Sequence, residues 1–389
     1  MKILIIHNKY GKFSGEESVV ESQIKMLRDN GHKVITYFRS SVELETMKYS
    51  KLKAFFSGFN NPKSIKEIKK LLRNEKPDIV HVHNLYPLIS PAVLPVIKKM
   101  KFPIVMTVHN YRLLCPNGLF FTNGKICEKC TGVGKEFNCI SNNCEGSLLK
   151  STGYALRNYW ARTKGYYLEN IDSFLCLTTF QKNKLISNGF LENKCEVIPN
   201  FFNNEINKLK ENTTIGNYVV FAGRISPEKG IPDLLNAACK LSHIPFKLAG
   251  SVRAGYLKEF DIPENVTLVG MLDTVELQKL YSNARVYLHT SVCYEGFPMV
   301  FPEAMAHKLP IIAPNMAGYS EIVVNNENGL LFEPGNIISL TETIQKLWKD
   351  PLLCNKLGNY AFEMVQKEYS LKVYYKKLVT VYQSVIYNF

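Results

Sequence analysis

Short runs of β-branched and apolar residues recur along the sequence with amphipathic stretches between them, and this alternation restricts the fold more than any other feature. The run at 3–6 (Ile-Leu-Ile-Ile) opens the series, a loop holding Gly11 and Gly15 follows, and the spacing predicts a helix over 17–30 that stops at Gly31. Runs at 34–37, 79–82, 104–108, 174–177 and 196–198 read as further strands, with helices over 65–74, 92–99, 148–169 and 180–188. A second series follows, with strands at 218–221, 246–249, 266–269, 286–289 and 310–313. Strands that are apolar throughout belong to parallel sheets covered by helices on both faces. At 389 residues the chain accommodates two such cores. The expected domains are 1–200 and 218–370, joined by the polar stretch 201–217, with an irregular insert at 115–144 and an amphipathic helix at 371–389.

Hydrophobic residues make up 46% and charged residues 21% of the chain, which excludes disordered, collagen-like and coiled-coil classes. Lys and Arg number 48 against 34 Asp and Glu, and the entire excess of 14 lies in residues 1–200. Such an imbalance predicts that the first half faces something anionic: a phosphorylated substrate, a phospholipid surface or nucleic acid. No apolar run reaches the ~18 residues of a membrane-spanning helix, and the sequence turns polar at His7 before a signal-peptide core could form, so a cytoplasmic location is expected. Without a secretion signal, ten cysteines read as free thiols or metal ligands rather than disulfides.

Two segments carry chemistry. Glu295 and Glu303 stand eight positions apart across Gly296-Phe297-Pro298-Met299-Val300-Phe301-Pro302, a strand-to-helix turn whose backbone N–H groups are free to hold an anion such as a diphosphate. The alternative is a pair of solvated surface acids. Gly223-Arg224-Ile225-Ser226-Pro227-Glu228-Lys229-Gly230 follows the strand at 218–221, and its two cations suit diphosphate as a fork and a point charge. The alternative there pairs Arg224 with a neighbouring acid and leaves Lys229 solvated at a helix start.

With these residues the sequence resembles the retaining glycosyltransferases of family 4, and the resemblance covers nearly the whole chain. It implies the GT-B form of the α/β class: two doubly wound Rossmann-like domains facing a cleft, with the helix at 371–389 crossing back to the first domain. By that resemblance Glu303 binds the nucleotide ribose and Glu295 the hydroxyls of the donor sugar. Arg224 and Lys229 hold the diphosphate, Gly223 lets the chain approach it, and the backbone of Phe297, Pro298, Met299 and Val300 completes the cradle. Asn200 matches a family segment at the domain junction. Gly15, in Phe13-Ser14-Gly15-Glu16, stands where the family's glycine-rich loop meets the donor phosphates, as a single glycine rather than a pair. His109, in Thr107-Val108-His109-Asn110, matches a strand-end histidine beside the transferred sugar, with a core histidine as the alternative; His81 and His83 read as structural.

The implied activity moves a hexose or N-acetylhexosamine from a nucleotide-diphosphate sugar, UDP on family frequency, to a glycan or lipid-linked acceptor in surface-polysaccharide synthesis. No catalytic cofactor is required. Cys115, Cys127, Cys130, Cys139 and Cys144 include a C-x2-C pair and suffice for a structural zinc site, with free thiols as the alternative. Residues 47–76 carry nine Lys or Arg against two Glu, interleaved with Phe55, Phe56 and Phe59. That composition suits an anionic membrane surface at the inner face of the cell membrane, a solvated helical face being the alternative. Single-stranded nucleic acid fits the same composition, but no RNA-binding motif accompanies it, and no nucleic-acid partner is expected. Rival functions are a GT-B sugar-nucleotide epimerase and a non-catalytic basic protein binding lipid or nucleic acid.

Overall fold

The computed structural model describes residues 1–11, 14–46, 50–202 and 216–389. These form two compact units: Met1–Asn123, Cys127–Asn200 and Leu371–Phe389 make the first, Gly124–Ile126 and Phe201–Ser370 the second. Positions 203–215 of the polar stretch 201–217, as well as Phe13 of the glycine loop and 47–49 of the basic run, lie outside the described residues.

The first unit runs β1 (Lys2–Lys9), α1 (Gly15–Asp29), β2 (Lys33–Ser40), α2 (Glu43–Thr46), α3 (Ser50–Phe59), α4 (Pro62–Glu75), β3 (Ile79–Val82), α5 (Val93–Lys99) and β4 (Ile104–Thr107). The cysteine-bearing insert follows with a short ribbon, β5 (Phe121–Thr122) and β6 (Lys125–Ile126), and α6 (Asn138–Ser141). Then come α7 (Leu148–Thr163), β7 (Ser173–Cys176), α8 (Thr179–Ile186) and β8 (Cys195–Val197). Six strands pair in the order β2-β1-β3-β4-β7-β8, all parallel. Both faces of β1 and β3 are covered, so Ile3, Ile5, Ile6, Ile79, Val80 and Val82 are fully buried, the condition their unbroken apolar runs require. Ser14 caps α1 by accepting from the Glu17 amide, and Pro62 starts α4 behind the Asn61 cap.

The sheet is closed off by α15 (Leu371–Tyr387), which belongs to this unit as the sequence predicted. Its Tyr374 hydroxyl donates to Gln23 Oε1 at 2.9 Å, and its Tyr382 hydroxyl lies 2.5 Å from His81 Nδ1. His81 Nε2 meets Thr107 Oγ1 at 2.8 Å, so both ring nitrogens are satisfied within the core.

The second unit runs β9 (Val219–Ala222), α9 (Ile231–Lys240), β10 (Phe246–Ala249), β11 (Val266–Gly270), α10 (Thr274–Ser282), β12 (Val286–Leu288), α11 (Val300–Ala306), β13 (Ile311–Pro314), α12 (Tyr319–Ile322), β14 (Gly329–Phe332), α13 (Ile337–Lys349) and α14 (Pro351–Glu368). Its strands pair in the order β11-β10-β9-β12-β13-β14, again all parallel.

Three expectations need adjustment. The helix expected over 148–169 ends at Thr163, because Gly165 takes a left-handed φ of +61°. β14, which pairs with β13, is a strand that the pattern analysis left unassigned. Glu303 falls in the first turn of α11. Of the three interleaved phenylalanines only Phe56 stands out, at 63% exposure; Phe55 packs on Phe59, and Phe59 on Trp160 of α7. Among the described residues no helix is long and apolar enough to cross a membrane.

Candidate functional site

In the second unit the loops after β9 and β12 are laced together by backbone. Val292 N donates to Glu228 O at 3.0 Å, and Thr290 Oγ1 donates to Lys229 O at 2.9 Å. The crossing is so close that a Cβ on Gly230 would lie 1.9 Å from Thr290 O, and Gly230 is left-handed at φ +63°. Only glycine fits there. The contact brings Lys229 and Glu295 together at the carboxyl ends of neighbouring strands, where ligands of open parallel sheets bind.

Lys229 Nζ lies 2.8 Å from Glu295 Oε1, with both side chains less than one-fifth exposed. Ser291 Oγ donates to the same oxygen at 2.7 Å and the Tyr319 hydroxyl at 3.3 Å, while His289 Nε2 lies 3.2 Å away. Burial alone would push the Glu295 carboxyl up, but the Lys229 ammonium and the His289 contact hold it well below the usual carboxylate range. Burial likewise disfavours the charged Lys229, and Glu295 reverses this and holds its pKa above the usual value.

Glu303 is the opposite case. Its hydrogen-bond partner among the described residues is the Tyr281 hydroxyl, at 3.3 Å, and burial pushes the carboxyl up to about 7. No side chain caps the first turn of α11. Phe297 and Pro298 are buried, Phe297 against Tyr369, while Met299 and Val300 are partly exposed.

The side chain of Arg224 is 65% exposed and only loosely paired, 3.6 Å from Glu228, which is the alternative stated for it. The alternative for Lys229 fails, since that residue is buried rather than solvated. Gly223 has φ +152°, and its carbonyl oxygen would meet a Cβ on Gly250 at 1.9 Å. Ser291, His289 and Tyr319 escaped the sequence reading because they come from a strand end and a separate helix, with no spacing that links them to Glu295.

In the first unit, Gly15 opens α1 and His109 follows β4. His83 Nδ1 and His109 Nε2 are 2.8 Å apart, with the rings stacked at 5.1 Å, and His83 stacks in turn on His81 at 4.3 Å. Burial lowers the pKa of His109 and of His81 to about 3 and that of His7 to about 4, so all three are neutral at pH 7. His109 faces a small cavity, of about 30 Å³, lined also by Glu16, His83, Tyr86, Arg112 and Tyr167. Tyr10 bridges two of these groups: its hydroxyl donates to Glu16 Oε2 at 2.9 Å and accepts from Arg112 Nη1 at 3.1 Å. Glu16 and Arg112 were not singled out from sequence, although each lies within three residues of a residue that was. Asn200 is buried, and its Oδ1 has no hydrogen-bond partner among the described residues.

The insert cysteines are all thiols. Cys130 and Cys139 are buried together with Cys144 packed against them. Cys139 donates to the Cys144 sulfur, which raises its own pKa and lowers its partner's. Cys115 instead donates to Asn117 Oδ1 at 3.0 Å. Among the described residues no group of three or more His, Cys, Asp or Glu is arranged to hold a metal ion.

The family profile described as Glycosyltransferase Family 4 matches residues 13–205, and that described as Glycosyl transferases group 1 matches residues 202–364. The uncharacterized glycosyltransferase MJ1178 of Methanocaldococcus jannaschii is 27% identical over 97% of this chain and 96% of its own length. The capsular polysaccharide biosynthesis glycosyltransferase CapM of Staphylococcus aureus is 27% identical over 51% of this chain and 53% of its own length. Among solved structures, Anabaena Alr3699/HepE in complex with UDP and glucose superposes with a TM-score of 0.71 at 16% identity, covering 99% of this chain and all of that one.

Proposed function

We propose, from the premise that the chain is a family 4-like glycosyltransferase of GT-B fold, that it transfers a hexose or N-acetylhexosamine with retention from a UDP-sugar to a glycan or lipid-linked acceptor in surface-polysaccharide synthesis. The observation that carries this reading is the acidic pair of the second unit: one carboxylate clamped as an anion by Lys229, the other buried with a phenol for its partner. The capsular role in CapM's name supports the pathway class, and the UDP and glucose held by HepE support the donor.

Each residue then has a task. Glu303 accepts from the ribose hydroxyls and Glu295 from the hydroxyls of the sugar. An ammonium has three N–H bonds; Lys229 directs one at Glu295 and turns the others to the diphosphate. Arg224, exposed and loosely held, swings onto the same group, and the backbone of 297–300 cradles it. His109 stands beside the transferred sugar as a neutral imidazole, Gly15 lets the chain approach the phosphates, and Asn200 offers a buried carbonyl oxygen. In the reaction the bond from the anomeric carbon to the diphosphate oxygen breaks and the acceptor hydroxyl attacks from the same face. Its proton passes to the departing diphosphate. The protein's share is fixed positive charge where negative charge develops, often the largest catalytic contribution. The exposed basic residues of α4 and Phe56 hold the enzyme at the inner face of the membrane, where a lipid-linked acceptor resides.

A thermal-shift panel of UDP, GDP, ADP, CMP and their sugar conjugates on wild type and Glu303→Ala tests the reading. UDP and a UDP-sugar are expected to raise the melting temperature of wild type and not of the variant. Absence of stabilisation by every nucleotide in wild type would overturn it.

A further inference from the structure

The transfer chemistry above uses His109 and leaves the two histidines behind it without a task. At the carboxyl ends of the neighbouring strands β3 and β4, His81 and His83 stand two residues apart, as do Thr107 and His109, so each pair shares one face of the sheet. The result is two rungs with the same sequence offset. His81 Nε2 meets Thr107 Oγ1 and His83 Nδ1 meets His109 Nε2, both at 2.8 Å. The rings of His81 and His83 stack with 21° between their planes and those of His83 and His109 with 23°, which keeps the two rungs aligned.

In a neutral imidazole one nitrogen carries the hydrogen and the other only a lone pair, so each rung has a direction. The first is set from α1. The Gln23 amide nitrogen donates to His81 Nδ1 at 2.9 Å, its own orientation fixed by the Tyr374 hydroxyl on Oε1, and the His81 hydrogen is therefore on Nε2, toward Thr107. The second is set by what His83 lacks. Its side chain is fully buried, and Nε2 has no hydrogen-bond partner among the described residues. A hydrogen there would be a buried donor without an acceptor, which native folds avoid more strictly than an unused lone pair. The hydrogen sits on Nδ1 instead and is given to His109 Nε2. Burial keeps both rings neutral at pH 7, so His109 carries its own single hydrogen on Nδ1.

That nitrogen is the free end of the rung. The His109 side chain is partly exposed, and among the described residues nothing hydrogen-bonds its Nδ1. The cavity that His109 lines, of about 30 Å³, has room for one water-sized group. It admits a single hydroxyl of a sugar, and neither a phosphate nor a whole ring.

We infer that His83 is a positioning residue for the transfer: by donating from Nδ1 it fixes the His109 ring as the Nδ1–H tautomer, so that His109 meets a hydroxyl oxygen of the sugar as a hydrogen-bond donor. The sugar class selected is one that carries a hydroxyl at that point, and a deoxy sugar leaves the donor unpaired and is rejected. The ligand's being a sugar rests on the transferase reading; the tautomer does not.

The test is long-range proton–nitrogen correlation NMR at pH 7 on the full chain labelled with nitrogen-15 at histidine, for wild type, His83→Phe and His83→Leu, with His109→Gln to identify the His109 ring among the eight histidines. Wild type is expected to show His83 and His109 both protonated on Nδ1, with a coupling across the hydrogen bond from His83 Nδ1 to His109 Nε2. His83→Phe keeps a stacked ring and removes the donor, so a change of the His109 tautomer in it reports the hydrogen bond rather than packing. Calorimetric titration of the same proteins is expected to show UDP affinity retained in both His83 variants and UDP-glucose affinity reduced about fivefold. A hydrogen on His109 Nε2 in wild type, His109 nitrogen shifts that do not move in the His83 variants, or UDP-glucose affinity unchanged in them would overturn the inference. Should neither variant melt cooperatively, the wild-type spectrum decides, because it reads directly which nitrogen bears the hydrogen. If UDP-glucose fails to bind wild type, the donor reading falls and the same spectrum still decides for or against His83.

Discussion

Glu295 and Glu303 are the same amino acid eight positions apart, and their surroundings move their pKa values in opposite directions. Lys229 is the difference, since the Gly230 crossing delivers its ammonium to one carboxylate and nothing comparable reaches the other. Replacing Glu295 by Gln leaves Lys229 buried against a neutral amide. We expect a loss of about 3 kcal/mol in denaturant unfolding, the lower end for breaking a buried pair because both partners retain some exposure. Glu303 works through its proton. Its pKa of about 7 in the folded protein, against a usual 4.5, means that the folded state keeps this proton over a window where the unfolded chain releases it. Stability contributed by this group is therefore present below pH 4.5 and lost as pH rises to 7, and Glu303→Gln should melt higher than wild type at pH 8 but not at pH 4.5. The ribose hydroxyls need an acceptor, so nucleotide affinity runs the other way, about tenfold stronger at pH 8 than at pH 6 in wild type. A nucleotide affinity that stays flat across that range would remove Glu303 from the ribose.

At the scale of elements, α4 combines two roles: Ser64, Ile68 and Leu72 are buried, while Lys66, Lys70 and Arg73 are exposed on its other side. Reversing those three charges to Glu should weaken binding to phosphatidylglycerol vesicles by roughly 1 kcal/mol per residue, seen in co-sedimentation, and leave the melting temperature within a few degrees. Elements such as β1 and β3 were legible in the sequence because a strand buried on both faces must be apolar without interruption, as Ile3 to Ile6 are. The limits of α7 were not, since Gly165 turns the chain against a helical pattern that continues to Glu169. The candidate site divides the same way. Glu295, Glu303 and Lys229 share short segments whose spacing is readable. Ser291, Tyr319 and Arg112 are brought in by tertiary packing, which no spacing encodes. Arg224 was read for its charge, but its 65% exposure depends on how the loop folds. Two of the three phenylalanines expected on the surface turn inward because α3 packs on α7 so tightly that a Cβ on Gly153 would lie 3.2 Å from the Phe55 ring.

At the scale of the whole molecule, the first unit is made from three stretches of sequence, with α15 supplying Tyr374, Leu378 and Tyr382 to its core. Removing residues 371–389 would strip the hydroxyl partners from Gln23 and His81 and uncover the surface they share. Buried polar groups left without partners are costly, so calorimetry on a chain ending at Ser370 should show the melting of the first unit lost or shifted down by more than ten degrees or so, with the sheet of the second unit intact. During synthesis, domains fold as they emerge, usually in order from the N-terminus. Here the order is interrupted, because residues 1–123 and 127–200 leave the ribosome ahead of residues 201–370, yet wait for α15 until those have been made. The half of the described chain that carries the surplus positive charge is thus held incomplete, its socket for α15 open to water, while the whole of residues 201–370 is being made.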